Sequence, residues 1–258
     1  MPTLEERIAD LQDQAGQLLD LPQQIADTAQ ARINQIGTYW ATRVQQMRTV
    51  TYVHQQSGDD DADGTESAPI RSVEEALRRT PPGGVCEVRL LGGYHFAGVV
   101  TVSQTYLVMT SASSVRHAIT LERLTYQAFG TTKRKTGGPL LTRRAAVRYT
   151  GVTLIVPVLD GTWGSYEIRH SHSGFAQLGD SVDAGGALVS ITECDIRIPQ
   201  TPYCAVVGND YRMPVELYVT GCVATDQPLT GRLLSGATDP SGTAAASLPW
   251  LVTNLTTV

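Results

Sequence analysis

The chain has 258 residues, 41% of them hydrophobic and 17% charged, enough to bury a sizeable core. Its formal charge of −5 and pI near 5.5 give no general attraction to nucleic acid or to an anionic membrane. The longest apolar run, Val152 to Leu159, is interrupted by Thr153 and Pro157 and is far too short to span a bilayer. The acidic, amphipathic N-terminus lacks the basic and apolar regions of a secretory signal, so a soluble chain without membrane insertion is expected.

From Thr3 to about Met47 the pattern predicts helix. Leu4, Ile8, Leu11, Ala15, Leu18, Ile25 and Ala29, then Ile33, Ile36, Trp40 and Met47, follow one another mostly at steps of three and four. That period winds helices around one another, and a lone helix this long cannot hide such a stripe from water. Pro22 removes a backbone donor and marks either a break or the first turn of a second helix. Residues 1–48 therefore read as a helical, coiled-coil region that joins identical chains, the alternative being an amphipathic helix packed on its own domain.

Composition then changes. Val50, Tyr52 and Val53 form a short alternating strand, followed by the acidic turn Ser57 to Gly64. Ser72-Val-Glu-Glu75 has the form of a capping box, in which Ser72 caps the Glu75 amide and Glu75 reaches back. A short helix near 72–79 with Val73, Ala76 and Leu77 on its apolar face ends at Pro81-Pro-Gly-Gly84. A strand over Val85–Leu91 turns at Gly92-Gly93 into Tyr94-His-Phe96. Beyond it, short alternating strands recur between Gly, Ser, Thr, Asp and Pro.

Three of these strands resemble one another. Tyr149-Thr-Gly-Val-Thr-Leu154, Ile191-Thr-Glu-Cys-Asp-Ile196 and Val219-Thr-Gly-Cys-Val-Ala224 share an order of apolar, Thr, Gly or Glu, Val or Cys, any residue, apolar. Strand units recurring every few tens of residues fit a stacked solenoid, and a β-sandwich repeats its strands at similar intervals. Cys86, Cys194, Cys204 and Cys222 are spread without C-x-x-C spacing. They read as small buried residues in a reduced compartment, not as zinc ligands or a disulfide scaffold.

The stretch Ser57-Gly-Asp-Asp-Asp-Ala-Asp-Gly-Thr-Glu-Ser-Ala-Pro-Ile-Arg-Ser-Val-Glu-Glu-Ala-Leu77, closed by Gly92-Gly-Tyr94, resembles the entry of right-handed parallel β-helix proteins such as pectate lyases and bacteriophage tailspikes. An N-terminal coiled coil ahead of such a domain is similar to phage tail fibres, tailspikes and head spikes. The resemblance covers about forty residues. It implies a mainly β fold, a right-handed parallel β-helix over 49–258, homotrimerisation through the N-terminal helices, and a place on the virion after synthesis in the bacterial cytoplasm. No catalytic motif of that family can be placed on this chain, and a fold does not dictate an activity.

Candidate chemistry is sparse. Asp59, Asp61, Asp63 and Gly64 follow the D-x-D-x-D-G order that presents oxygens to calcium. The twelfth position is Ile70 where a calcium loop has Glu, so Glu66 or a carbonyl would have to substitute; the other reading is a hydrated turn. Trp163, Tyr166, Arg169, His170 and His172 combine aromatic faces with polar groups suited to a sugar. Glu193 and Asp195 alternate along a strand as a possible carboxylate pair for glycosidic hydrolysis. Lys133-Arg-Lys135, Arg143-Arg144 and Arg148 cluster around Gly137-Gly-Pro139, for an anionic ligand or an acidic neighbour. The expectation is non-enzymatic attachment to a host-surface polysaccharide. The alternatives are a depolymerase of the same architecture, glycosidase or lyase, and an adaptor binding other virion proteins.

Overall fold

The computed structural model describes residues 3–12, 23, 27, 29–35, 47–128, 130–159, 167–168, 173–178, 186–209, 211–235 and 243–258, with only the backbone of 128, 167 and 168. The chain divides into two compact units, Met1–Gln46 and Met47–Val258. The first is helical at 4–12 and 29–35. Thr3 starts it as a reciprocal cap: its Oγ1 accepts from the Glu6 amide at 3.3 Å, while the Thr3 amide donates to the Glu6 carboxylate at 2.7 Å. Leu4, Ile8, Leu11 and Ile33 are exposed, Leu4 at 76%. No coiled-coil contact is present among the described residues. Ala15, Leu18, Pro22, Ile25, Ile36 and Trp40 lie outside the described residues.

The second unit is mainly β with several parallel sheets. It opens with β1 (Arg48–Val53), and helix α1 (Val73–Arg79) follows. Then come β2 (Val85–Leu90), β3 (Tyr94–Phe96) and β4 (Val99–Ser103). The next passage holds β5 (Tyr106–Ser111), β6 (Ala118–Leu121), the hairpin β7 (Arg123–Ala128) and β8 (Thr131–Thr136), and β9 (Gly138–Thr142). After it come β10 (Ala146–Thr150), β11 (Thr153–Ile155), β12 (Glu167–Ile168) and β13 (Ala176–Leu178). The last passages contain β14 (Ala187–Thr192), β15 (Asp195–Arg197), β16 (Val207–Gly208), β17 (Val215–Thr220), β18 (Val223–Thr225) and β19 (Leu251–Thr253).

The first sheet has the order β1-β2-β5-β10-β14-β17-β19, the second β18-β15-β11-β6-β3, and the third β16-β13-β9-β4. From β2 to β18 the chain visits the first, second and third sheets in turn and then returns to the first, one strand further on. Every strand pair in these sheets is parallel. A small fourth sheet joins β12 to the antiparallel hairpin β7–β8.

Alternation along each strand builds the core. Cys86, Leu107, Val147, Val189 and Leu217 pair in consecutive strands of the first sheet and are all fully buried. Val88, Met109, Tyr149 and Ile191 form a parallel column beside them. The second sheet contributes Ile119, Leu154 and Ile196 in register. The three similar segments of sequence occupy matching places: Tyr149 pairs with Ile191 and Ile191 with Val219, while Leu154 pairs with Ile196 and Ile196 with Ala224. Their third residues, Gly151, Glu193 and Gly221, turn the corner to the second sheet in the left-handed region, at φ 61°, 54° and 64°. Glycine enters that region freely, whereas Glu193 carries a steric cost.

The entry segment is tied down differently from its sequence pattern. Ser72 Oγ accepts from the Glu75 amide at 3.1 Å, the expected cap. Glu75 does not reach back; it binds Arg78 and Arg79 at 2.6 Å. These guanidiniums hold its carboxyl well below the usual range, at about 2. Asp60 takes the vacated role, accepting from the Arg71 and Ser72 amides at 2.9 Å and from Ser72 Oγ at 2.8 Å. Beneath α1, Tyr94 Oη accepts from the Val73 amide at 3.0 Å and donates to Glu74 at 3.2 Å. Gly58 permits the loop to close, since a Cβ there would lie 2.3 Å from the Ile70 carbonyl oxygen.

Three measurements follow from these contacts. Asp60→Ala is expected to lower the stability of the β unit in urea denaturation by about 2 kcal/mol, against less than about 0.5 kcal/mol for exposed Asp63→Ala. Glu193→Gly is expected to raise it by about 0.5–1 kcal/mol by relieving the left-handed corner. A depressed carboxyl pKa stabilises above its unfolded value, so the Glu75 contribution is expected to fade as pH falls from 4.5 towards about 2. Glu75→Gln should flatten that part of the pH profile of thermal unfolding.

Candidate functional site

The outer face of the first sheet carries side chains in rows, because parallel in-register strands stack equivalent positions. One row is hydroxyl-rich: Thr110, Thr150, Thr192 and Thr220 pair in succession. Arg148 donates to Thr150 Oγ1 at 3.0 Å, and Asn254 Nδ2 lies 3.4 Å from Thr220 Oγ1. At the opposite edge of the face, Leu188 pairs with Glu216 and Glu216 with Val252. A groove of about 470 Å³ opens there, lined also by Arg144, Pro214, Pro249 and Trp250.

Backbone bonds fix its floor. The Ala187 amide donates to the Pro214 carbonyl at 3.1 Å and the Val215 amide to the Trp250 carbonyl at 2.9 Å. Trp250 packs partly against the core and presents the remainder to the groove. Arg144 sits in the left-handed corner entering β10, at φ 61°, directly after Arg143 at φ 52°. Among the described residues Arg144 and Glu216 are the charged ones lining the groove, and neither side chain has a hydrogen bond or ion pair there. A second cavity, of about 350 Å³, lies between α1 and β4. Its charges are already engaged, Glu74 by Tyr94 and Arg78 by Glu75. The groove at Trp250 is therefore the better ligand site.

The arrangement suits a sugar chain. An indole, two prolines, Leu188 and Val252 offer an apolar wall to C–H surface, and one cation and one anion stand ready for hydroxyl or carboxylate groups. Hydrolysis of a glycosidic bond requires two carboxyl groups about 5–10 Å apart. Among the described residues lining the groove, Glu216 is the one carboxylate.

Trp163, Tyr166, Arg169, His170 and His172 lie outside the described residues. Asp59, Asp61 and Asp63 are all exposed, and among the described residues no three His, Cys, Asp or Glu side chains converge on a cation position. Asp59 instead accepts from the Asp61 amide at 3.2 Å, a local turn. Glu193 sits at a left-handed corner and Asp195, which starts β15, pairs with Arg116, so the two do not alternate along one strand. The basic cluster is split: Arg134 is buried with its guanidinium 5.7 Å from the Tyr203 ring centre, Lys135 covers Tyr126 at 5.1 Å, and Arg144 alone of the cluster reaches the groove.

Trp250 and Glu216 escaped sequence reasoning because pairing across three strands brings them together. The repeat register already set Ile191 beside Val219, and extending it backwards by three residues places Leu188 against Glu216. Nothing in the sequence marks the strand that carries Val252. Comparisons with protein-family models, with curated proteins and with solved structures found no match.

Proposed function

We propose that this chain is a virion attachment protein, a right-handed parallel β-helix that holds a host-surface polysaccharide on the outer face of its first sheet without cleaving it. The groove at Trp250 carries the reading: an aromatic and apolar wall with two charges, Arg144 and the carboxylate of Glu216, that have no side-chain partner among the described residues. The rotation of strands through three parallel sheets supports the β-helix, and the threonine row extends the polar surface over which a long glycan lies.

Homotrimerisation belongs to the same proposal. The exposed stripe of Leu4, Ile8, Leu11 and Ile33 gains by being covered, and identical helices offer a matching seam. Three linked copies raise effective concentration, so a weak individual site suffices for adhesion. Other virion proteins would then meet the helical end. Calcium at the Asp59, Asp61 and Asp63 loop is not needed for this role.

Binding of the purified full chain to host capsule or lipopolysaccharide glycans tests the site. Trp250→Ala and Arg144→Ala are each expected to weaken binding about tenfold or more, a loss of about 1.4 kcal/mol, with circular dichroism unchanged. Unaltered binding in both variants would sink the site, and release of new reducing ends or unsaturated sugars would replace attachment with depolymerisation. Capture of virion proteins without any glycan binding would favour the adaptor. Sedimentation equilibrium is expected to give a trimer for the full chain and a monomer once Leu4, Ile8 and Leu11 are replaced together by Ser.

A further inference from the structure

The corner between the first and second sheets holds a pair of thiols unrelated to the groove. Cys194 and Cys222 occupy the same place in consecutive passages of the chain. Thr192 pairs with Thr220 before them, and Asp195 pairs with Val223 after them. The Val223 amide donates to the Cys194 carbonyl at 3.0 Å, and the Glu193 amide to the Thr220 carbonyl at 2.8 Å. Backbones bonded this way run about 4.8 Å apart, within the Cα separation of about 4.4–6.8 Å that a disulfide spans.

The thiols are also aimed alike. Cys194 Sγ donates to its own strand's Thr192 carbonyl at 3.3 Å, while Cys222 Sγ crosses to the Ile191 carbonyl of the preceding strand, also at 3.3 Å. One passage earlier the position is Val152, so the stack contains two sulfurs and then ends in a buried apolar side chain. Cys194 is fully buried, whereas Cys222 is half-buried and reachable from solvent. The Arg116 guanidinium, bound to Asp195, adds positive charge beside Cys222.

We propose that Cys194 and Cys222 are an oxidisable dithiol that closes into a disulfide, stapling two consecutive passages of the β unit, with Cys222 as the attacking thiol. The oxidant is hydrogen peroxide. The Cys222 thiolate attacks one peroxide oxygen; an S–O bond forms, the O–O bond breaks, and hydroxide leaves to take up a proton as water. The Cys194 sulfur then displaces the hydroxyl of the Cys222 sulfenic acid; an S–S bond forms, and the Cys194 proton departs with the hydroxyl as a second water. Two thiols thus supply the two electrons that reduce one peroxide.

The two sites have the unequal acidity this order requires. The neighbouring Cys194 thiol and the Arg116 guanidinium favour the Cys222 thiolate, while the Cys222 sulfur and burial keep Cys194 protonated. The remaining cysteines are unsuited: burial pushes Cys86 up to about 11 and Cys204 up to about 12. In a reducing cytoplasm the pair remains open, and it closes where the surroundings are oxidising.

The full chain treated with one equivalent of hydrogen peroxide, alkylated, digested and mapped by mass spectrometry tests this. The expected result is a Cys194–Cys222 linked peptide, loss of two of the four thiols, alkylated Cys86 and Cys204, and a higher melting temperature that dithiothreitol reverses. Cys194→Ser is expected to leave Cys222 as a sulfenic acid, labelled by dimedone several-fold more than in the unaltered chain. Cys222 oxidised or labelled singly while Cys194 stays alkylatable would overturn the proposal. So would four intact thiols under conditions that oxidise a small exposed thiol. The peptide map of the unaltered chain decides the question even if the variant fails to fold.

Discussion

Parallel strands cannot be joined by a tight turn, because the chain must travel back to the starting edge before it can run beside itself again. In this protein the return journey is itself made of strands, β3 and β4 after β2, β6 and β9 after β5, so that crossing the molecule also builds two further sheets. Amides of the first sheet then find acceptors on the preceding and following passages of the chain. Inward side chains such as Leu107, Val147 and Val189 fall above one another without further specification. The same requirement limits the corners: where the chain turns from the first to the second sheet it adopts positive φ at Gly151, Glu193 and Gly221.

That constraint leaves length between sheets free. The hairpin β7–β8 is inserted between the second and third sheets, while the register of β5 with β10 is kept. The entry of the stack is sealed by a short helix whose hold depends on Asp60, a residue between the alternating aspartates of the acidic loop. Its carboxylate accepts two backbone amides and the Ser72 hydroxyl, and leaves Glu75 to the arginines. A charge-rich loop thus becomes a structural latch.

The outer face of the first sheet inherits its rows from the same register. Functional groups that are remote in sequence come within one strand spacing of each other, as with Leu188, Glu216 and Val252. The adhesion proposed for this chain would suit such a surface, since an extended array of modest contacts matches an extended polymer. The thiol pair at Cys194 and Cys222 arises by the same stacking rule, applied at a corner.

The sequence by itself determined the local elements. Alternation marked the strands around Tyr149, Ile191 and Val219, and their shared order anticipated their lateral pairing, because stacked passages repeat the same inward and corner requirements. Ser72, Val73 and Ala76 announced the cap helix through spacing that operates within one turn. Only the tertiary structure decided what depends on contacts between distant segments: that Asp60 replaces Glu75 at the cap, that Glu193 forms a corner and not a strand position, and that Trp250, Arg144 and Glu216 share a groove. Such contacts depend on register across strands, and register is a property of the assembled sheet that no short window of residues contains.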